Sequence, residues 1–134
     1  MKKIQKALIS VSDKTNLKNL LNTLVKNKIQ IISSGGTYKE IKKLKVKCFE
    51  VSNYTNSPEI LGGRVKTLHP KIHAGILSKR NNKLHKNDLK NNNFEEIDLV
   101  IVNFYPFETT LEQTKNHLKI IENIDIGGPT MVRA

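Results

Sequence analysis

The residues best suited to chemistry fall in five short runs. The longest, Gly62 to Leu77 (GGRVKTLHPKIHAGIL), gathers Arg64, Lys66, Thr67, His69 and His73 among glycines. It is too polar for a core strand and too interrupted by Gly and Pro for an ordinary helix. Arg forks a phosphate bidentately and Lys supplies a compact charge, so the run suits a phosphorylated or otherwise anionic small molecule. A solvated basic loop is the plainer alternative. The second run is Ser34-Gly35-Gly36-Thr37, just before a segment of helical character. Glycines let the backbone turn N–H groups into a concave mouth, the helix adds its positive end, and the hydroxyls add donors, so an anion is favoured there. Thr37 with Glu40 also fits a capping box, and a Gly-rich turn with a capped helix needs no ligand. Neither G-x-G-x-x-G nor G-x-x-x-x-G-K-[ST] is present, which sets aside the Rossmann fingerprint and the P-loop.

Three smaller runs complete the set. In Val11-Ser12-Asp13-Lys14, Ser12 and Lys14 offer a hydroxyl and an ammonium beyond the first strand. Asn103-Phe104-Tyr105-Pro106 leaves an amide and a phenol where Pro106 stops a strand; the plainer role for the phenol is to satisfy a nearby backbone group. Asp125, between Ile124 and Ile126 and before Gly127 and Gly128, suits a buried base, because desolvation raises a carboxyl pKa. Alternatively, Asp125 caps a helix that Pro129 begins. His69 and His73 are four apart, as metal ligands on one helix face could be, but Pro70 sits at the start of any such helix and no third ligand is evident, which argues against a metal. His85 and His117 read as surface histidines. The lone cysteine, Cys48, can form neither an intramolecular disulfide nor a cysteine-based zinc site, and its setting KVKCFEV reads as a core thiol on a strand.

Strands and helices alternate around these runs. Residues 6–11 (KALISV) form a short apolar run that suits a buried parallel strand. Leu17, Leu20, Leu21, Leu24 and Val25 then recur at helical spacing, with Asp13 or Thr15 available as cap. Residues 29–33 predict a second strand, 38–44 a second helix, and 47–51 a third strand, followed by a turn-rich SNYTNSP. The Lys/Asn-rich stretch 78–93 predicts an exposed loop with a weak helix. Residues 97–104 (IDLVIVNF) are the clearest buried strand, and a last amphipathic helix carries Leu111, Leu118 and Ile121 on one stripe. A β-α-β-α order of this kind predicts a parallel sheet whose strand ends gather the polar runs at one edge.

Composition narrows the classes. The chain has 134 residues, enough for one domain with a proper core, since a chain of about 150 residues buries roughly two-thirds of its unfolded surface. Nowhere do about 18 consecutive apolar residues occur, and the start has no apolar signal core, so a soluble cytoplasmic protein without membrane association is expected. The net charge of +11 favours nucleic-acid binding in general. Here only Arg64, Arg80 and Arg133 among the 23 cations are arginine, the lysines are scattered over helix faces, and Trp is absent. Stacking platforms for bases are missing, so no nucleic-acid partner is expected.

Taken together, VSDK at 11–14, SGGT at 34–37, GGRVKTLHP at 62–70 with IHAGIL at 72–77, VNFYPF at 102–107 and IDIGG at 124–128 closely resemble the bifunctional purine enzymes that are both AICAR formyltransferase and IMP cyclohydrolase. The resemblance is to their N-terminal cyclohydrolase domain and runs in order from about residue 7 to the end. RVKTLHP followed by HAGIL is highly specific, whereas SGGT alone is weak. It implies a methylglyoxal-synthase-like fold, a three-layer α/β/α sandwich around a mainly parallel sheet. The implied reaction is a ring closure in which the carboxamide nitrogen of formyl-AICAR (FAICAR) attacks its own formyl carbon and loss of water gives IMP, with no cofactor and no metal.

By this resemblance, Ser12, Lys14, Ser34, Gly35, Gly36, Thr37 and Arg64 hold the 5′-phosphate. Lys66 faces the developing oxyanion or departing hydroxyl, Thr67 and Asn103 place the carboxamide and formyl groups, Tyr105 and Asp125 serve in hydrogen bonding and proton transfer, and the Gly127 and Gly128 backbone lines the base pocket. In the family, VRA is followed by AAKN-type residues carrying a second site lysine, whereas this chain ends at Ala134. The expectation is therefore residues 1–134 as a C-terminally incomplete cyclohydrolase domain with no formyltransferase domain, its last segment from Gly127 a fraying helix stub. The family also implies a homodimer. The alternatives are a nucleotide-binding module of the same fold without turnover, and methylglyoxal synthase itself, a lyase on a triose phosphate, against which RVKTLHP…HAGIL argues.

Overall fold

The computed structural model describes residues 3–134. Among these, four strands form one sheet: β1 (Lys6–Ser10), β2 (Gln30–Ser33), β3 (Phe49–Glu50) and β4 (Leu99–Val102). They run in the order β3-β2-β1-β4, and every pairing is parallel. All four carboxyl ends therefore share one edge. The chain moves outward from β1 to β3 and then returns to the far side of β1 for β4, so the loops leaving β1 and β4 lie side by side, where parallel sheets bind ligands.

Among the described residues, eight α-helices connect and cover the sheet: α1 (Leu17–Lys26), α2 (Gly35–Lys43), α3 (Val51–Thr55), α4 (Pro70–Leu77), α5 (Lys83–Asn91), α6 (Phe107–Gln113), α7 (His117–Glu122) and α8 (Gly127–Arg133). Side chains alternate along a strand, so β1 feeds two cores at once. Ala7 and Ile9 join Leu17, Leu21 and Leu24 of α1 and Ile41 of α2 on one face. Leu8 joins Val51 of α3, Ile72 of α4, Ile97 and Met131 of α8 on the other. The result is the expected three-layer α/β/α sandwich with a parallel centre.

Several local expectations change. Asn16, in the left-handed region, precedes α1 without a side-chain cap, while Asp13 closes a tight turn by accepting from the Thr15 N–H and hydroxyl at 2.8 and 2.6 Å. The apolar stripe of α1 is narrower than its spacing suggests, because Val25 is 52% exposed. The third strand keeps only two residues. Val51 already starts α3, where Thr55 Oγ1 donates to the Val51 carbonyl at 2.8 Å and closes a helical turn in a stretch expected to be irregular. Cys48 precedes β3 rather than lying within it; burial pushes its thiol up to about 12.

The predicted last amphipathic helix is two helices. Thr114 turns extended and the Asn116 side chain accepts from the Lys119 N–H to start α7. Leu111, Leu118 and Ile121 are all exposed, so they form no core stripe. The segment from Gly127 is not a frayed stub either, because Met131 is 2% exposed and packs into the core beside Leu8 and Ile97.

Candidate functional site

At the carboxyl edge of the sheet, α2 begins three residues earlier than its sequence pattern suggests. Ser34 is its N-cap residue in extended conformation, and no side chain caps the helix. The expected Thr37–Glu40 box does not form, because Thr37 lies inside the helix with its hydroxyl committed elsewhere. Oγ1 accepts from the Val11 N–H at 3.0 Å and donates to the Val11 carbonyl at 2.8 Å. That pair of hydrogen bonds ties α2 to the end of β1, and the first-turn N–H groups of the helix have no partner within it.

Two ammonium groups flank this helix start. Lys14 donates to the Ser12 carbonyl at 3.0 Å, and its Nζ lies 3.9 Å from where a Cβ on Gly36 would sit. Lys66 Nζ lies 3.0 Å from the corresponding point on Gly35, whose φ of +55° is one that L side chains rarely adopt. Two cations beside unpaired N–H groups at the positive end of a helix favour an anion. A small cleft lined by Ser34, Glu50, Glu59, Lys66 and His69 adjoins them.

Asn103 joins the loops leaving β1 and β4. Its Oδ1 accepts from the N–H groups of Ser12 and Asp13 at 2.6 and 3.1 Å, and its Nδ2 donates to the Asp13 carbonyl at 2.9 Å. Ser12 Oγ is also 2.6 Å from the Phe104 carbonyl. A Cβ on Gly128 would come within 2.9 Å of the Phe104 ring and 2.7 Å of Asp125 Oδ2, and one on Gly127 within 2.7 Å of the Thr67 hydroxyl oxygen. Thr67 neighbours Lys66 in the chain. The contacts therefore close a ring, from Lys66 and Thr67 through Gly127, Gly128, Asp125 and Phe104 to Asn103, Ser12, Lys14 and the start of α2.

Two predicted site residues stand differently from expectation. Arg64 is turned to α7: it donates to the Leu61 carbonyl at 2.9 Å and pairs with Glu122. The hydrogen bond and charge of Glu122 raise the guanidinium pKa above its ordinary value. Asp125 is half-buried rather than buried, and its Oδ1 accepts from the Gly128 N–H at 3.0 Å in the first turn of α8, whose N-cap residue is Ile126. Tyr105 is 53% exposed beside the ring.

The histidines separate by role. His69 is the N-cap residue of α4, its Nδ1 accepting from the Lys71 N–H at 3.1 Å, while His73 lies within that helix. Among the described residues, no group of three or more His, Cys, Asp or Glu side chains is placed to hold a metal ion. His85, expected as a plain surface residue, accepts from the Lys79 N–H at 3.0 Å. Sequence reasoning missed Glu59, whose carboxylate is 3.0 Å from Lys66 Nζ, and Glu122. Neither has a spacing signal, since the pairs form only through the folded loop.

This fold and the match of residues 16–130 to the MGS-like domain show that the chain belongs to the MGS-like domain family. Within it, the chain is similar to the bifunctional purine biosynthesis protein PurH of Prochlorococcus marinus (strain MIT 9301), 54% identical over 129 residues that cover 96% of this chain and 25% of that protein. It is likewise 52% identical over 132 residues to the PurH of Acetivibrio thermocellus, covering 98% of this chain and 26% of that protein. The chain thus spans about a quarter of the length of these curated relatives, and the matched region is their N-terminal part. The crystal structure of ForH superposes with a TM-score of 0.82 at 28% identity, covering 96% of this chain and 66% of that one. No described helix is long and apolar enough to cross a membrane.

Proposed function

We propose that this chain carries out the IMP cyclohydrolase step of purine biosynthesis, the dehydrative closure of FAICAR to IMP, in the cytoplasm and without a cofactor. The observation that carries this reading is the ring of contacts. Residues matched by the family resemblance, far apart in sequence, meet at the carboxyl edge of one parallel sheet. The names of the relatives, which are purine biosynthesis proteins, support the same reading.

In this reading the 5′-phosphate sits on the N–H groups of Gly35, Gly36 and Thr37, with Ser12, Ser34 and Lys14 beside it. Arg64 joins it only by leaving Glu122. The base lies toward Gly127 and Gly128. Nucleophile and electrophile belong to one molecule, so catalysis consists of folding the substrate into an attack geometry, stabilising charge and moving protons. As the carboxamide nitrogen bonds to the formyl carbon it gives up a proton, and the formyl oxygen becomes a hydroxyl. Departure of that hydroxyl as water, with the proton of the formamide nitrogen, leaves the new C=N bond. Lys66 faces the oxygen through both stages, Thr67 and Asn103 hold the reacting groups, and Tyr105 and Asp125 relay protons. The exposed apolar side chains of Leu111, Leu118 and Ile121 support a homodimer through this side, which sedimentation would register as twice the chain mass.

Following absorbance while the chain is mixed with FAICAR tests the reading. Turnover that falls in Lys66→Ala, Tyr105→Phe and Asp125→Asn is expected. IMP binding without any turnover would point instead to a nucleotide-binding module, and full activity in all three variants would remove the assigned roles.

A further inference from the structure

We propose that Glu59 is a positioning residue that reserves Lys66 for the chemical step; the inference rests on the cyclohydrolase reading. Lys66 Nζ stands beside the start of α2, where the helix end and Lys14 both repel a cation and a bound phosphate would attract one. Left alone, a long and flexible lysine there would join the phosphate. Glu59 offers the competing attraction, with its carboxylate 3.0 Å from Nζ in a pair whose lysine side chain is only 28% exposed.

The backbone is shaped around that pair. Gly63, at φ +87°, lies so close that a Cβ would come within 2.3 Å of Lys66 Cε and 2.5 Å of Glu59 Oε1. Gly35, at φ +55°, closes the other side of the ammonium, where a Cβ would lie 3.0 Å from Nζ. Both glycines hold conformations that L side chains rarely adopt, and one anion fixes the lysine between them. The ammonium is thereby held against Glu59 at the border of the helix start.

The test compares steady-state cyclisation of FAICAR by the wild-type chain, Glu59→Gln, Glu59→Asp, Lys66→Ala and the Glu59→Gln/Lys66→Ala double variant, with thermal melting of each. Glu59→Gln keeps the side-chain shape and removes the charge. The expected result is a fall in kcat of about tenfold or more with KM changed by less than about threefold, the pattern of an interaction lost in the transition state. Glu59→Asp should recover part of the loss, melting should be unmoved, and the double variant should match Lys66→Ala. A rise in KM with kcat intact would make Lys66 a phosphate ligand and overturn the proposal. So would an unchanged kcat, a loss explained by a lowered melting temperature, or additive losses in the double variant. Absence of turnover in the wild-type chain would instead overturn the cyclohydrolase reading, and this proposal with it.

Discussion

One end of the ring rests on the middle of the sheet. Ser12, Lys14 and the Gly35–Thr37 turn follow β1 and β2, whose Ala7, Leu8, Ile9, Ile31 and Ile32 are almost fully buried, and the Thr37 hydroxyl pins α2 to β1. The other end rests on loops and short helices. Phe104 and Tyr105 are each about half exposed, Asp125 is held by a single hydrogen bond from the Gly128 N–H, and α6 and α7 leave Leu111, Leu118 and Ile121 exposed. In the proposed reading, the first end is the one pre-organised for a small, invariant group such as phosphate. In the same reading the second end adapts to a base that must fold on itself, and low-stability segments commonly carry such motion.

If the contrast holds, displacing Lys66, which stands beside the rigid end at the start of α2, should cost most. Gly63→Ala forces a Cβ into the Lys66–Glu59 pair, and cyclisation should fall by about a hundredfold or more, since a 1 Å displacement of a reacting group has effects of that order. Equal activity in Gly63→Ala would show that the Lys66 position is not fixed. Thr37→Val leaves the Val11 N–H without its acceptor and should lower the unfolding free energy by about 2 kcal/mol in urea titration. At the looser end, Asp125→Ala removes one acceptor from the Gly128 N–H and should cost only about 1 kcal/mol by the same measurement. A larger loss than in Thr37→Val would invert the comparison.

The smallest effect concerns Cys48. Burial first, and the charge of Glu50 to a lesser extent, push its thiol up to about 12 against the opposing charge of Lys42. The thiolate is thus disfavoured in the fold. Stability is unaffected below the ordinary thiol value and declines as pH rises from about 9 towards 12. Alkylation at pH 8 should be slower in the folded chain than in urea by about a hundredfold, and equal rates would show the thiol to be open.

The same contrast marks what the amino-acid order made legible. The apolar runs ALI and IIS reveal the two central strands, because burial on both faces of a parallel sheet leaves little room for polar residues, whereas LVIV, read as the most buried strand, is only partly buried because β4 lies at the sheet edge. SGGT, Ser12, Lys14 and Lys66 identify the rigid end through chemistry that is local. The early start of α2 was hidden because two glycines read as a turn, and tertiary bonding from Thr37 decides otherwise. The break between α6 and α7 was hidden because helical spacing persists across it. Glu59 and Glu122 were illegible, since ion pairs made through a folded loop have no spacing of their own.

Phosphate seated at the start of α2 is the centre of the proposed function, and calorimetric titration of the chain with IMP and with inosine tests it most directly. Several charge-assisted contacts to one phosphate predict that IMP binds at least about a hundredfold more tightly than inosine, with the difference reduced in Lys14→Ala. Equal affinities for the two ligands, or no binding of IMP, would contradict it.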